Sequence, residues 1–211
     1  MSKKIRKKSS KTADPKPARP TTDGRAKPTR KASPSSKPAA RKKPEVRPAA
    51  SPPAPHASEL AEGSRAPPFT LPRDGGARVS LADFVGGKLV IFFYPRANTP
   101  GCTREAMDFT RLSKEFAACG TTVLGVSADP VKTQESFRTK HKLAIPLMSD
   151  ETHAMLEAYG AWGEKSMYGK AFLGIIRTTV LVTADGRIAR IWRRVKVDGH
   201  AEEVLAAARG L

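Results

Sequence analysis

The sequence predicts an α/β fold in which a central mixed sheet is flanked by helices on both faces. Residues 88–94 are apolar nearly throughout, which is the composition of a buried central strand. Candidate strands and helices then follow along the chain in the order β-α-β-α-β-α-β-β-α. The 211 residues are enough for one globular domain with a substantial hydrophobic core.

The first 57 residues differ in composition from the rest. Residues 1–57 contain 17 basic and 3 acidic residues, a net charge of +14, together with 11 of the 18 prolines and no aromatic residue. Such a segment cannot bury enough apolar surface to offset its chain entropy. We therefore predict a disordered, Lys/Pro/Ala-rich basic tail over 1–57 and one folded domain over 58–211, where the remaining 21 basic and 17 acidic residues leave only +4.

The first half of the folded domain has clear boundary signals. Ser80 starts a short capped helical turn at 80–84, and the buried strand follows at 88–94. A helix is predicted over 102–118 because apolar residues recur along it, and Gly120 ends it. The next strand is predicted at 122–127.

The second half continues the alternation. Asp129 and Pro130 have the residue types of a helix cap and a first helical position. The turn at 184–186, Ala-Asp-Gly, predicts a hairpin between two strands. The glycine-rich stretch 160–174 is predicted to be a loop. The remaining predicted elements are strands at 145–148, 178–183 and 187–193 and helices at 130–141, 150–159 and 199–208.

Cys102 is the residue on which a functional prediction depends. It follows the buried strand and a Pro/Gly turn, at the point where a helix begins. Free backbone N–H groups and the positive end of the helix dipole both favour a thiolate there. A reactive cysteine at the first strand–helix junction of a mixed sheet is typical of a thioredoxin-like layout.

The residues around Cys102 carry a family resemblance. Pro95, Thr99 and Cys102 have the spacing Pro-x-x-x-Thr-x-x-Cys, which resembles the peroxiredoxin active-site signature. Residues 93–105 are similar to the peroxiredoxin Q (bacterioferritin comigratory protein) branch, and 162–165 and 174–177 resemble later landmarks of that branch. The resemblance covers 58–211.

The resemblance implies a thiol peroxidase that reduces hydrogen peroxide and organic hydroperoxides in antioxidant defence and redox homeostasis. It implies that Cys102 attacks the O–O bond as a thiolate and becomes a sulfenic acid. Arg177 matches the family arginine that stabilises the thiolate and the peroxide, and Thr99 matches the residue that hydrogen-bonds the sulfur or the peroxide. Pro95 would shield the thiolate. No cofactor is expected. A metal is not expected either, because His141 and His153 lack metal-ligand spacing.

The chain departs from the family where a resolving cysteine often stands. Met107 occupies one such position, and 137–138, Phe-Arg, the other. If Cys102 and Cys119 flank one helix, 17 residues at about 1.5 Å each separate them by about 25 Å. A disulfide needs Cα atoms within roughly 7 Å. We therefore predict a packing role for Cys119 and recycling of Cys102 by an external thiol such as thioredoxin.

Two other functions compete with the peroxidase. A thioredoxin-like disulfide reductase is weak because Cys102 does not belong to a Cys-x-x-Cys motif. A nucleic-acid-associated redox sensor is the main alternative, because lysine clusters with proline and alanine suit non-specific contact of 1–57 with DNA, RNA or another polyanion.

The remaining expectations concern the setting of the protein. No apolar run approaches the roughly 20 residues of a membrane span, and the start has no apolar signal region. We expect a reducing bacterial cytoplasm, with nucleoid association as an option, or the nucleus through the basic cluster 3–8 if the source is eukaryotic. A monomer is expected from the branch resemblance.

Overall fold

The computed structural model of the chain describes residues 60–167 and 170–211. The predicted tail at 1–57 lies outside these residues, as do positions 58 and 59. The strands are β1 (Thr70–Pro72), β2 (Arg78–Ser80), β3 (Lys88–Phe93), β4 (Thr121–Ser127), β5 (Leu147–Ser149), β6 (Trp162–Met167), β7 (Lys170–Ile175), β8 (Thr178–Val182) and β9 (Ile188–Arg193). The helices are α1 (Pro100–Arg111), α2 (Ser113–Ala118), α3 (Val131–His141), α4 (Ala154–Ala158) and α5 (His200–Arg209), with a 3₁₀ turn at Leu81–Phe84.

The central sheet has five strands in the order β5-β4-β3-β8-β9. Strand β3 is parallel to β4 and antiparallel to β8, so the sheet is mixed. Strands β1 and β2 form one separate hairpin, and β6 and β7 form another. The predicted fold class, a thioredoxin-like mixed sheet flanked by helices, is confirmed.

Strand β3 separates two hydrophobic clusters. Val90 and Phe92 belong to the cluster beneath α1, α3 and α5, whereas Ile91 and Phe93 belong to the cluster that contains residues of α4. Alternate side chains of a strand point to opposite faces, so a strand covered on both sides must be apolar at every position. This arrangement explains the continuous apolar run that follows Lys88, at 89–93.

Three predicted elements differ from the structure. The helix predicted over 150–159 is confined to Ala154–Ala158, and its N-cap residue is His153. The helix predicted over 102–118 is interrupted at Leu112, whose φ of −89° and ψ of 3° lie in the bridge region. Thr110 and Ser113 flank this break and have weak helix propensity. The loop predicted at 160–174 contains the β6–β7 hairpin, whose pairing places Gly163 opposite Gly174. Glycine is depleted in strands, so this hairpin gave no strand signal.

The described residues show neither a membrane-spanning helix nor a metal-ligand cluster. Within 60–167 and 170–211, every helix is too short or too polar to cross a bilayer. In the same part of the chain, no group of three or more His, Cys, Asp or Glu residues is placed to hold a metal ion. His141 instead contacts Asn98 at 3.3 Å, and His153 stacks on Trp162 with ring centroids 3.9 Å apart.

Candidate active site

Cys102 lies in the first turn of α1, as the sequence predicts. Thr99 is the N-cap and Pro100 occupies the first helical position, where its missing N–H group costs nothing. The Cys102 residue is only 1% exposed. The thiol therefore lies at the positive end of a helix, in a setting from which bulk water is largely excluded.

Arg177 contacts the sulfur of Cys102. Its Nη2 donates a hydrogen bond to Cys102 Sγ at 3.3 Å. The sheet register explains this proximity, because Phe93 at the end of β3 pairs with Thr178 at the start of β8. Arg177 precedes Thr178 and therefore projects from the same end of the sheet as the turn leading to α1. The predicted pairing of Arg177 with Cys102 is present in the structure.

Glu105 is a third member of this cluster, and the sequence analysis did not identify it. It follows Cys102 by three residues on α1, so both side chains lie on one helix face. Glu105 Oε2 forms an ion pair with Arg177 Nη1. Glu105 is 1% exposed, and its Oε1 has no hydrogen-bond partner among the residues that the structure describes. The i,i+3 spacing from Cys102 was the available sequence signal.

Burial and the neighbouring charges together shift the pKa values in this cluster. Burial raises the pKa of Glu105 to about 7, although the positive charge of Arg177 opposes the shift. For Arg177, burial works against the charge, but Glu105 and Cys102 together outweigh it and raise the pKa of the guanidinium. Arg177 is therefore a permanent cation, and two acidic groups share it: the Cys102 thiol and the Glu105 carboxyl.

Thr99 and Pro95 lie beside Cys102 in less direct positions. The half-buried Thr99 hydroxyl donates to the Arg96 carbonyl at 3.0 Å, and its own carbonyl accepts from Thr103 N at 2.9 Å. Of the two predicted partners of the Thr99 hydroxyl, the Cys102 sulfur and the peroxide, the sulfur does not receive its hydrogen bond, which goes to the Arg96 carbonyl. The hydroxyl oxygen keeps its acceptor lone pairs. Pro95 is half-buried at the start of the turn.

Asp129 holds the turn that precedes α1. Its Oδ2 accepts hydrogen bonds from Ala97 N and Ser127 Oγ, each at 2.8 Å. The prediction that Asp129 caps α3 is wrong, because Pro130 is the N-cap residue of that helix. The carboxylate instead connects the end of β4 to the turn, and so fixes the path of the chain into Cys102.

Gln134 extends this polar connection into the core. Its Nε2 donates to Ser127 Oγ at 2.8 Å and to the Met148 carbonyl at 3.1 Å, and its Oε1 accepts from Tyr94 Oη. Burial raises the pKa of Tyr94 well above its usual range, so this hydroxyl remains a neutral donor. A satisfied buried network of this kind restrains the residues at both ends of the turn.

Cys119 lies at the other end of β3. It is the C-cap residue of α2, and the backbone of the adjacent Gly120 accepts a hydrogen bond from Lys88 N at 3.0 Å. Because β3 spans Lys88–Phe93, its ends are about 17 Å apart at 3.3 Å per residue. Both cysteines are free thiols. A disulfide between them would require large backbone movement.

Comparisons with known proteins agree with the fold. Residues 63–191 match the AhpC/TSA family, and the chain belongs to that family. A putative peroxiredoxin bcp of Coxiella burnetii is 44% identical over 143 residues, covering 68% of this chain and 95% of the relative. Peroxiredoxin Bcp of Xanthomonas campestris is 46% identical, covering 67% of this chain and 89% of the relative.

Solved structures give the same assignment. A Xylella fastidiosa PrxQ variant matches with a TM-score of 0.69 and 38% identity, covering 72% of this chain and 98% of that one. The Xanthomonas campestris bacterioferritin comigratory protein matches with a TM-score of 0.65 and 44% identity, covering 67% of this chain and 90% of that one. Within its family the chain is therefore a peroxiredoxin of the Bcp, or peroxiredoxin Q, branch, as the sequence resemblance predicts. It is a thiol-dependent peroxidase, an oxidoreductase whose substrate is a peroxide and whose reductant is a thiol.

Proposed function

We propose that Cys102 is the peroxidatic cysteine of this enzyme. The observation that carries the proposal is the 3.3 Å contact between Arg177 Nη2 and Cys102 Sγ in a site where the cysteine is 1% exposed. A guanidinium in contact with sulfur favours the thiolate over the thiol, and exclusion of water strengthens that interaction. The thiolate is the form that attacks a peroxide.

The proposed chemistry is one displacement at oxygen. The Cys102 thiolate attacks the terminal oxygen of the peroxide, an S–O bond forms and the O–O bond breaks. The leaving oxygen takes up a proton and departs as water or an alcohol, and Cys102 is left as a sulfenic acid. Arg177 donates to the oxygens as negative charge moves onto them, because its planar fork offers several N–H groups.

Thr99 and Pro95 take supporting roles in this proposal. Thr99 Oγ1 accepts a hydrogen bond from the incoming hydroperoxide while its own O–H continues to donate to the Arg96 carbonyl, an arrangement supported by the 3.0 Å contact. Pro95 contributes no backbone N–H and covers the start of the turn, which keeps water from the thiolate. Hydrogen peroxide and organic hydroperoxides are both proposed substrates, and the bacterioferritin comigratory protein of Xanthomonas campestris has alkyl peroxide reduction activity.

We propose that an external thiol, thioredoxin or a smaller molecule, restores Cys102. The separation of Cys102 and Cys119 by the length of β3 supports this step, because no described residue offers a second thiol within disulfide distance. The test is steady-state peroxide consumption with thioredoxin or glutathione as the donor. We expect turnover with at least one donor and none in Cys102→Ser; undiminished turnover in Cys102→Ser would refute the proposal.

We also propose that residues 1–57 bind nucleic acid without sequence specificity. Their net charge of +14, from 17 basic and 3 acidic residues, supports salt-dependent attraction to phosphates. Electrophoretic mobility shifts should show tighter DNA binding by the full chain than by a form starting at Ser58, and equal affinity would remove the idea.

The comparisons do not support the alternative of a redox sensor without peroxidase activity. We propose a monomer acting in a reducing bacterial cytoplasm, where the thiolate is kept reduced.

A further inference from the structure

A cleft of about 590 Å³ shares Arg177 with the candidate active site. Its volume is in the range of small-molecule sites, and it is far larger than hydrogen peroxide requires. We call it the cationic cleft. The side chains that line it include Lys165, Arg177, Arg194, Glu164, Phe172 and Ile176.

A pair of glycines lies beside residues that line the cationic cleft. Gly163 and Gly174 are directly opposite each other in the β6–β7 hairpin. A Cβ atom on Gly163 would lie 3.0 Å from Ile176 Cδ1, and one on Gly174 would lie 3.5 Å from Lys165 Cδ. The missing side chain at Gly163 therefore allows Ile176 to approach the hairpin, and Gly174 lies beside the stem of Lys165 and the ring of Phe172, which is 44% exposed.

The cationic cleft has more positive than negative charge. Lys165 and Arg194 have no carboxylate within ion-pair distance among the residues that the structure describes, whereas Arg177 is already paired with Glu105. Burial, and then the positive charge of Arg177, lower the pKa of Lys165, and the nearby Cys102 opposes this shift. The Lys165 ammonium lines the same cleft as the Arg177 guanidinium, and it lacks an anionic partner within the described part of the chain.

Arg194 is held in the cleft by an unusual backbone. Its φ of +53° lies in the left-handed region, which a residue with a Cβ adopts at a cost. The next residue fixes the turn, because Val195 N donates to the Arg177 carbonyl at 3.0 Å. Backbone strain of this kind is concentrated at functional sites.

We infer that the cationic cleft binds the carboxylate of a low-molecular-mass thiol, which reduces Cys102 after its oxidation. The inference rests on the proposed function, because it requires a sulfenic acid at Cys102. The charges suit a thiol derived from an amino acid. Lys165 and Arg194 can pair with the carboxylate of such a ligand, and Glu164 can pair with its ammonium group. The apolar stem of such a thiol lies against Phe172 and Ile176.

The reduction balances with two thiols. The first thiolate attacks Cys102 Sγ, an S–S bond forms, the S–O bond breaks, and the hydroxide leaves as water after taking up a proton. The second thiol attacks the ligand sulfur of this mixed disulfide, releases the Cys102 thiolate and forms a symmetrical disulfide. Because Cys102 is 1% exposed, attack requires movement of the first turn of α1, and a reductant already held in the cleft has a high effective concentration when this occurs.

The test separates the two half-reactions in a Cys119→Ser background. Cys102 is oxidised with one equivalent of hydrogen peroxide, and dimedone labelling establishes the sulfenic acid. Failure at this stage overturns the proposed function itself. The rate of sulfenic acid loss is then measured by rapid quench with N-acetylcysteine, which carries a carboxylate, and with its uncharged amide.

The comparison uses Lys165→Gln combined with Arg194→Gln, and Lys196→Gln as a matched control. Lys196 is exposed, adjacent in sequence to the cleft and not part of its lining. We expect the double variant to slow N-acetylcysteine by about 10-fold and the amide by less than about 2-fold, because only the former loses ion pairs. Lys196→Gln should change neither rate.

Two results would overturn the inference. Equal rates for the double variant and the parent would show that the charges do not hold the thiol, as would equal slowing of both thiols.

A third arm follows oxidation by a hydroperoxide that bears a carboxylate. If the double variant slowed that oxidation and left reduction unchanged, the cleft would be a peroxide site instead.

Discussion

The two cysteines lie at opposite ends of β3 and have opposite surroundings. Cys102 Sγ is buried at a helix start and contacts the Arg177 guanidinium at 3.3 Å. Cys119 Sγ is partly exposed at a helix end and contacts neutral groups, the Phe116 carbonyl at 3.2 Å and the Thr121 hydroxyl at 3.4 Å. A carbonyl acceptor favours the protonated thiol, whereas a guanidinium favours the thiolate. This electrostatic difference, more than exposure, is the basis on which we propose Cys102 as the reactive cysteine and a packing role for Cys119.

Replacing each cysteine gives the largest expected difference. Cys102→Ser should lower the rate of peroxide consumption by at least about 1000-fold, because the nucleophile is removed. Cys119→Ser should stay within about 2-fold of the parent, since serine can keep the hydrogen bond to the Phe116 carbonyl. A loss of activity in Cys119→Ser comparable to that in Cys102→Ser would end the distinction between the two sites.

Changing Arg177 tests whether the cation makes that difference. Arg177→Gln should slow oxidation of Cys102 by about 10- to 100-fold, because a charge-assisted hydrogen bond worth about 1.5–3 kcal/mol is lost. Arg177→Lys should recover only part of the rate, since one ammonium cannot present the two-nitrogen fork that contacts Cys102 and Glu105.

The matched control for this series is Arg187→Gln. Arg187 is exposed on the turn side of β9, and its ion pair is with Asp185. Oxidation by hydrogen peroxide is followed by rapid quench with dimedone. An Arg177→Gln rate equal to that of Arg187→Gln would mean that the guanidinium does not support the thiolate.

Glu105, which lies beside Cys102 and not beside Cys119, makes the free energy of unfolding depend on pH. Its pKa is raised by burial to about 7, so the folded protein binds more protons than the unfolded chain between about pH 4.5 and 7. The stabilisation is present below this window and is lost as the pH rises through it. Glu105→Gln should flatten the fall in unfolding free energy between pH 5 and 8, whereas the exposed Glu115→Gln should leave the slope as it is.

His200 provides a contribution of opposite sign in the same titration. Burial lowers its pKa to about 4, so the unfolded chain binds more protons between about pH 4 and 6.5. This stabilisation is present above the window and is lost as the pH falls through it. Urea unfolding at a series of pH values in Glu105→Gln and His200→Gln separates the two; equal slopes in both variants would contradict the assignment.

Asp129 gives the smallest expected effect. Asp129→Ala removes two hydrogen bonds that hold the turn before Cys102 and should cost about 1–3 kcal/mol of stability. It should slow Cys102 oxidation by about 3- to 10-fold through poorer positioning, with Cys119 alkylation unchanged. Asp198→Ala is the control, since its ion pair with Arg104 is exposed and worth little.

The sequence predicted the fold better than it predicted the site. The strand at 88–94 and the helix start at Cys102 follow from strong local signals, an apolar run and a Pro/Gly turn. The partnership of Arg177 with Cys102 came from a family resemblance, because the two residues are 75 positions apart and only the register of β3 and β8 brings them together.

Glu105 had only a weak sequence signal, its i,i+3 spacing from Cys102, and two further features had none. Glutamate on a helix is usually exposed to solvent, and only the packing of α1 against Arg177 makes Glu105 a buried partner. The Thr99 hydroxyl has two available acceptors, and tertiary structure decides between them. The β6–β7 hairpin depends on cross-strand pairing of Gly163 with Gly174, a contact that local propensity does not contain.

The most direct test of a one-cysteine mechanism is intact-protein and peptide mass spectrometry after one equivalent of hydrogen peroxide. Cys102 and Cys119 lie at the two ends of β3, about 17 Å apart and beyond disulfide reach. We predict a monomer that gains one oxygen atom on the Cys102 peptide, trapped by dimedone, with Cys119 still free. An intrachain disulfide that links the Cys102 and Cys119 peptides in monomeric protein would contradict this mechanism.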